Sequence, residues 1–214
     1  MIYIKLPLIL RIKKERHKEI AKAQDILVET LYPVFDKAVL HGDTAIWRCY
    51  SGKRFSEDID VYIPKDTEKI NSYFAKLKER GIELKKKKIT ENSLYSELLF
   101  SGVSVRFEAS FRQIDGILSE YEGADGNLIT VFTLSPEALI KEKVSAYLGR
   151  RKIRDLYDIF FLAMISDKAA IKKDLTHLVF AFKPPLDEDE LKVLILEGIV
   201  PDYKKMLEYL RRQA

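Results

Sequence analysis

Cysteine is nearly absent from this chain. Cys49 is the one thiol among 214 residues, so no intramolecular disulfide can form. The three histidines, His17, His41 and His177, give no zinc-ligand spacing with that one cysteine. Cys49 is read as a small buried residue on a helix rather than as a nucleophile, although His41 is near it in sequence. Long hydrophobic runs are also missing. Residues 1–12 are apolar, but Lys5, Pro7 and Arg11 interrupt them, and the stretch is too short to span a bilayer. Its basic residues follow the apolar run, and no small-residue cleavage site appears, so it does not read as a signal peptide. The expected location is the cytoplasm, with no membrane partner. Nor does one sign of charge dominate: 37 basic and 33 acidic residues leave a net charge of +4 and a sequence pI near 8.9. That balance permits a nucleic-acid partner without demanding one. No internal repeat or low-complexity stretch is visible.

What is present is a chain long enough to bury a sizeable core, as one domain or two small ones. Residues 14–31 carry Ile20, Ala21, Ala23, Ile26, Leu27 and Leu31 at helical spacing. Residues 36–40 predict a short strand, and residues 43–49 a helix after the Gly42 turn. A second strand is expected over 55–63, closed by Pro64. Residues 67–80 repeat Ile70, Tyr73, Phe74 and Leu77 at helical spacing before Gly81. Strands are then expected over 82–89, 93–100 and 103–111, with Gly102 at a hairpin turn, and over 117–121 and 128–134. From Ser135 the pattern turns helical. Ser135-Pro136-Glu137 supplies an N-cap, a first-turn proline and a first-turn acid. Helices are predicted over 136–148, 153–166, 168–180, 187–197 and 202–211. The fold class is therefore α+β: a mixed sheet with flanking helices over residues 1–134, then a helical bundle over 135–214.

The chemistry concentrates at Asp58-Ile59-Asp60. On a strand, residues two apart share a face, so both carboxylates point one way while Ile59, Val61 and Ile63 pack inward. Adjacent carboxylates repel unless a cation lies between them, and hard divalent ions prefer oxygen ligands. Magnesium also takes substrate phosphates as ligands, which points to phosphoryl or nucleotidyl transfer. Upstream, the strand, Gly42 and the Thr44-Ala45-Ile46-Trp47 helix start form a turn suited to docking a phosphate. Glu108 shares the alternation of Ser104 and Arg106 and offers a third carboxylate across the sheet. Asp155 and Asp158, three apart, lie on one helix face. The run Arg150, Arg151, Lys152, Arg154 beside them fits either an ion-pair network or contacts to acceptor phosphates. Lys85 to Lys88 form a second basic run, read as a solvated edge that deters strand pairing, with an RNA contact as the testable alternative.

His41-Gly42-Asp43-Thr44-Ala45-Ile46 and Arg54-Phe55-Ser56-Glu57-Asp58-Ile59-Asp60, followed by Lys143 and then Arg154-Asp155-Leu156-Tyr157-Asp158, resemble the motifs of the AbiEii/AbiGii toxin nucleotidyltransferases, within the DNA-polymerase-beta-like superfamily. The resemblance implies a nucleotidyltransferase-like sheet and a helical domain that completes the active site. It implies a nucleoside triphosphate bound at Gly42, Asp43 and Thr44, with Ser56 and Lys143 near its phosphates. It implies Mg²⁺ or Mn²⁺ held by Asp58, Asp60 and Glu108, and catalytic roles for Asp58, Asp60, Lys143, Asp155 and Asp158. An RNA acceptor, notably a tRNA end, and a cognate antitoxin are the implied partners. The other readings are transfer to a protein or small molecule, and a catalytically silent nucleotide-binding module. Asp43 departs from the family pattern, standing where a second Gly is usual. Its side chain narrows the turn and adds negative charge near a triphosphate.

Overall fold

A computed structural model describes residues 6–214; of the apolar stretch 1–12, residues 1–5 lie outside the described part. The chain divides into two compact units. The first comprises residues 1–49 and 56–133, the second residues 50–55 and 134–214.

The first unit holds four helices, α1 (Leu8–Arg11), α2 (Glu15–Leu31), α3 (Gly42–Cys49) and α4 (Thr67–Glu79). Its strands are β1 (Val39–His41), β2 (Asp58–Ile63), β3 (Glu83–Ile89), β4 (Ser93–Phe100), β5 (Val103–Phe111), β6 (Ile117–Glu122) and β7 (Leu128–Thr133). They form one seven-stranded mixed sheet in the order β3-β4-β5-β2-β1-β7-β6. The β2–β5 and β1–β7 pairs are parallel, and the remaining pairs antiparallel. Alternation decides what each face does. Ile59, Val61, Leu94, Leu98, Val105 and Phe107 are buried on one side. There α2 packs on β4, β5 and α4, and Tyr73 of α4 meets Phe107 with ring centroids 5.0 Å apart. The other side carries the polar residues of β2, β5 and β4. Asp66 caps α4 by accepting from the Lys69 amide at 3.0 Å.

Two short departures have identifiable causes. The helix α1 arises within the interrupted apolar stretch because Leu8 and Ile12 are buried, and the Ile9 amide donates to the Ala124 carbonyl at 2.8 Å. The strand expected over 55–63 begins only at Asp58, because residues 53–55 pair elsewhere, as described next.

The second unit is helical: α5 (Pro136–Arg150), α6 (Ile153–Ile165), α7 (Lys168–Phe180), α8 (Leu191–Leu194) and α9 (Tyr203–Gln213). Ser135 caps α5, accepting from the Ala138 amide at 3.3 Å. The helix expected over 187–197 is instead a 3-10 turn, Glu188–Glu190, and the single turn α8. It stops there because the following backbone is used for strand-like pairing. Ile195 bridges Arg54, the Phe55 amide donates to the Leu194 carbonyl at 3.0 Å, and the Leu196 amide to the Lys53 carbonyl at 2.9 Å.

Candidate active site

The sheet unit gathers most of the residues that the sequence nominates. The turn between β1 and α3 places Gly42 at φ +70°, in the left-handed region that glycine tolerates. A Cβ there would lie 2.6 Å from Asp60 Oδ2, so a side chain at 42 would displace the carboxylate. Thr44 is fully buried, and its Oγ1 is hydrogen-bonded to Ser56 Oγ at 2.8 Å and to the Asp58 carbonyl. The Ser56 carbonyl in turn accepts from Gln24 Nε2 at 2.9 Å. Thr44 and Ser56 thus tie the start of α3 to the start of β2, which fixes the turn against the carboxylate strand.

Strand register aligns the carboxylates. His41 pairs with Asp60, Asp60 with Glu108, and Glu108 with Tyr95 across β1, β2, β5 and β4. The Cα partners of a rung share a face, so Asp60 and Glu108 project together. Burial, reinforced by the like charges of Asp43, Glu108 and Asp58, pushes the Asp60 carboxyl up to about 6, against an opposing pull from His41. His41 itself stacks on Tyr62, with centroids 3.9 Å apart. The next rung pairs Asp58 with Arg106. Arg106 grips Asp58 with two hydrogen bonds, Nε to Oδ1 at 2.7 Å and Nη2 to Oδ2. This fork-on-fork ion pair is the feature that the sequence reading lacks; the alternation of Arg106 with Glu108 was its available signal.

The chemistry of the Asp60 and Glu108 carboxylates suits a divalent cation, while both oxygens of Asp58 are bonded to Arg106. Burial first, then the like charges of Asp43, Glu108 and Asp58, disfavour the ionised form of Asp60, which is the electrostatic condition that a cation relieves. The donors are hard carboxylate oxygens, suited to magnesium or manganese. Asp60 and Glu108 face one another across the β2–β5 pair, and Asp58 lies one rung away, shared with Arg106.

The helical unit organises the remaining nominees as a buried ion-pair network. Asp155 and Asp158 sit in the first turns of α6, where the helix dipole favours acids. Lys143 of α5, 5% exposed, reaches Asp158 Oδ2 at 2.8 Å and Asp155 Oδ1 at 3.4 Å. Arg54 binds Asp158 through Nε at 3.0 Å and Nη2 at 2.7 Å. Arg150 binds both oxygens of Asp155 at 2.7 Å. Asp155 does not cap α6. That role falls to Asp187, whose Oδ1 accepts from the Ile153 amide at 2.7 Å. Two more of the basic run have partners in this unit: Arg151 donates to the Pro184 carbonyl at 2.9 Å, and Lys152 pairs with Asp187 at 3.2 Å, whereas the buried Arg154 Nε has no hydrogen-bond partner among the described residues. Arg54 opens the sequence motif but was not nominated as a site residue; its role shows only when α6 is in view.

Cys49 has a raised pKa of about 12, chiefly from burial. A thiol so hard to ionise is a poor nucleophile.

A Gly turn feeding a helix, a central strand with Asp58 and Asp60, and a parallel neighbour carrying Glu108 define a protein with the nucleotidyltransferase fold. The chain belongs to the family described as the nucleotidyl transferase AbiEii toxin of type IV toxin–antitoxin systems, whose model matches residues 25–213. Among solved structures it is similar to JHP933 from Helicobacter pylori, with 21% identity, 94% of this chain and 90% of that one covered, and a TM-score of 0.66. A structure titled putative nucleotidyltransferase from H. pylori is 22% identical, with 94% of each chain covered and a TM-score of 0.64. The nucleotidyltransferase toxin MenT4 (Rv2826c) of Mycobacterium tuberculosis H37Rv is 19% identical, covering 91% of this chain and 82% of that one, also with a TM-score of 0.64. No curated protein sequence matches. Among the described residues, no helix is long and apolar enough to cross a membrane.

Proposed function

We propose that this toxin-family nucleotidyltransferase moves a nucleotide from a nucleoside triphosphate to an RNA hydroxyl, tRNA ends being the leading acceptor, and that a cognate antitoxin restrains it. The observation that carries this reading is the Asp60–Glu108 rung, in which burial, then like charge, lifts Asp60 to about 6. Asp58, Asp60 and Glu108 are the residues that would hold Mg²⁺ or Mn²⁺, which would supply charge stabilisation for the α-phosphate and the leaving pyrophosphate and a lowered pKa for the attacking hydroxyl. The Gly42 turn and the start of α3 receive the phosphates, with Asp43 limiting how closely they approach. Ser56 and Thr44 keep that turn in place through their mutual hydrogen bond. In the helical unit, Lys143 is the phosphate contact, and Asp155 assists the acceptor; Asp158 holds Lys143 and Arg54 in position. The acceptor oxygen bonds to the α-phosphorus, the α–β phosphoanhydride bond breaks, pyrophosphate departs, and the hydroxyl proton is lost to solvent or a carboxylate.

The Asp58–Arg106 pair favours one alternative, a nucleotide-binding module without turnover, because it occupies a carboxylate that the metal needs. Incubation with Mg²⁺ and all four triphosphates separates the readings, with intact-mass analysis of RNA and protein acceptors. One added nucleotide on RNA, absent with Asp60→Asn although its melting curve is retained, is the expected result. Undiminished transfer by Asp60→Asn would remove Asp60 from the metal site. Mass added only to protein would replace the acceptor.

A further inference from the structure

The lysine run on β3 lies on the edge of the sheet, and its register with β4 sorts the four side chains by face. Lys88 pairs with Tyr95 and Lys86 with Glu97. Tyr95 pairs with Glu108, and Glu97 with Arg106. Lys86 and Lys88 therefore continue the rungs that carry Asp58, Asp60 and Glu108. Lys87 projects to the opposite side, with Nζ 5.2 Å from the Phe74 ring centroid of α4 and 3.3 Å from Asn71 Oδ1. Lys85 sits at a register shift and pairs with Glu83 at 2.8 Å. On the carboxylate face, Tyr95 is half-buried and Lys86 Nζ lies 5.6 Å from its ring centroid. Glu97, the acid beside them, accepts from Ser104 Oγ at 2.9 Å.

We propose that this face of β5, β4 and β3 is the track along which the single-stranded end of an RNA acceptor reaches the carboxylates, a proposal that rests on the RNA reading above. Lys86 and Lys88 contact backbone phosphates and Tyr95 stacks a base. Cations flanking an aromatic ring on an open surface are the chemistry of sequence-tolerant single-strand binding. β3 lies three strand spacings, about 14 Å, from β2, so its lysines lie away from the α-phosphate position and suit phosphates further along a strand. An acidic protein would use the lysines but not the ring. Edge protection alone needs charge on the edge, without regard to face.

Binding of a short fluorescein-labelled single-stranded RNA to the full chain, followed by anisotropy over a salt series, tests the track. Each phosphate contact on a single strand contributes about 0.7 to the slope of log affinity against log salt. Lys86→Ala with Lys88→Ala should therefore flatten the slope by about 1.4, whereas Lys85→Ala with Lys87→Ala should leave it near wild type. Lys86→Arg with Lys88→Arg should keep wild-type binding, which separates charge loss from damage to the edge strand. Tyr95→Ala should weaken binding on the order of tenfold, and Tyr95→Phe should not. Equal losses from the two alanine pairs would overturn the track. So would wild-type affinity in the Lys86/Lys88 alanine variant while the wild-type enzyme labels RNA; the acceptor reading would then survive. If the wild-type chain neither binds nor labels RNA, both fall.

Discussion

Asp60 is held against its own ionisation by burial first and by Asp43, Glu108 and Asp58 next, which lifts its pKa from 3.8 to about 6. Between those two values the folded chain keeps a proton that the unfolded chain has released. The contribution of Asp60 to stability should therefore be greatest below the lower value, fall as pH rises through about 6, and stay level beyond it. The span of roughly two pKa units corresponds to at most about 3 kcal/mol. Asp60→Asn should remove this slope and raise the melting temperature above pH 6. Mg²⁺ should stabilise the wild type above pH 6 and the Asn variant little. Melting curves across that pH range, with and without Mg²⁺, check both, and a variant with the wild-type slope would assign the titration elsewhere. Gly42 belongs to the same arrangement, because its missing Cβ leaves Asp60 Oδ2 its place. That glycine and the Asp pair are readable from sequence, since turn chemistry and strand alternation are local. The grip of Arg106 on Asp58 is not, because it depends on a parallel register between strands 48 residues apart.

The helices and strands were legible where their patterns are local and became less so where distant backbone intervenes. Alternation and Gly102 give β4 and β5 with the bounds observed, and the helix expected over 168–180 is α7. Residues 187–197 have a helical pattern, yet the helix ends at Leu194 because Ile195 and Leu196 pair with residues 53–55. The α5–α6 ion network follows the same logic. Lys143, Asp155 and Asp158 are visible as candidates, but Arg54 joins them from 104 residues before Asp158. Its energetics are asymmetric. Removing one partner of a buried pair strands the other charge and costs about 3–5 kcal/mol. Asp158→Ala leaves both Arg54 and Lys143 without that carboxylate, so a drop in melting temperature on the order of 10 °C is expected. Arg150→Ala should cost much less, because Arg150 is half exposed and Asp155 keeps Lys143. Equal shifts in thermal melts of the two variants would contradict this account of the network.

At the scale of the molecule, the chain passes between its two compact units three times, at residues 49–50, 55–56 and 133–134. A cut at 134 therefore does not yield two whole units. A fragment ending at residue 133 retains all seven strands but loses Asp158, Leu194 and Leu196, the partners of residues 53–55. Hydrogen exchange should show the Phe55 amide protected in the full chain and rapidly exchanging in that fragment, while amides of β2, β5 and β4 stay protected in both. Protection of Phe55 in the fragment would mean that it has a partner within the sheet unit.

The bond from Phe55 to Leu194 also sets an order of events during synthesis. Phe55 is synthesised 139 residues before Leu194, an interval of about 7–28 s at ordinary elongation rates. The sheet can assemble once Thr133 has been made, yet Arg54 must wait for Asp158, and the strand-like pairing of 53–55 must wait longer still. The helical unit is thus closed only after Leu196 has been made. A chain of this toxin family stalled midway would carry its Asp58–Asp60 strand without the Lys143–Asp155 pair.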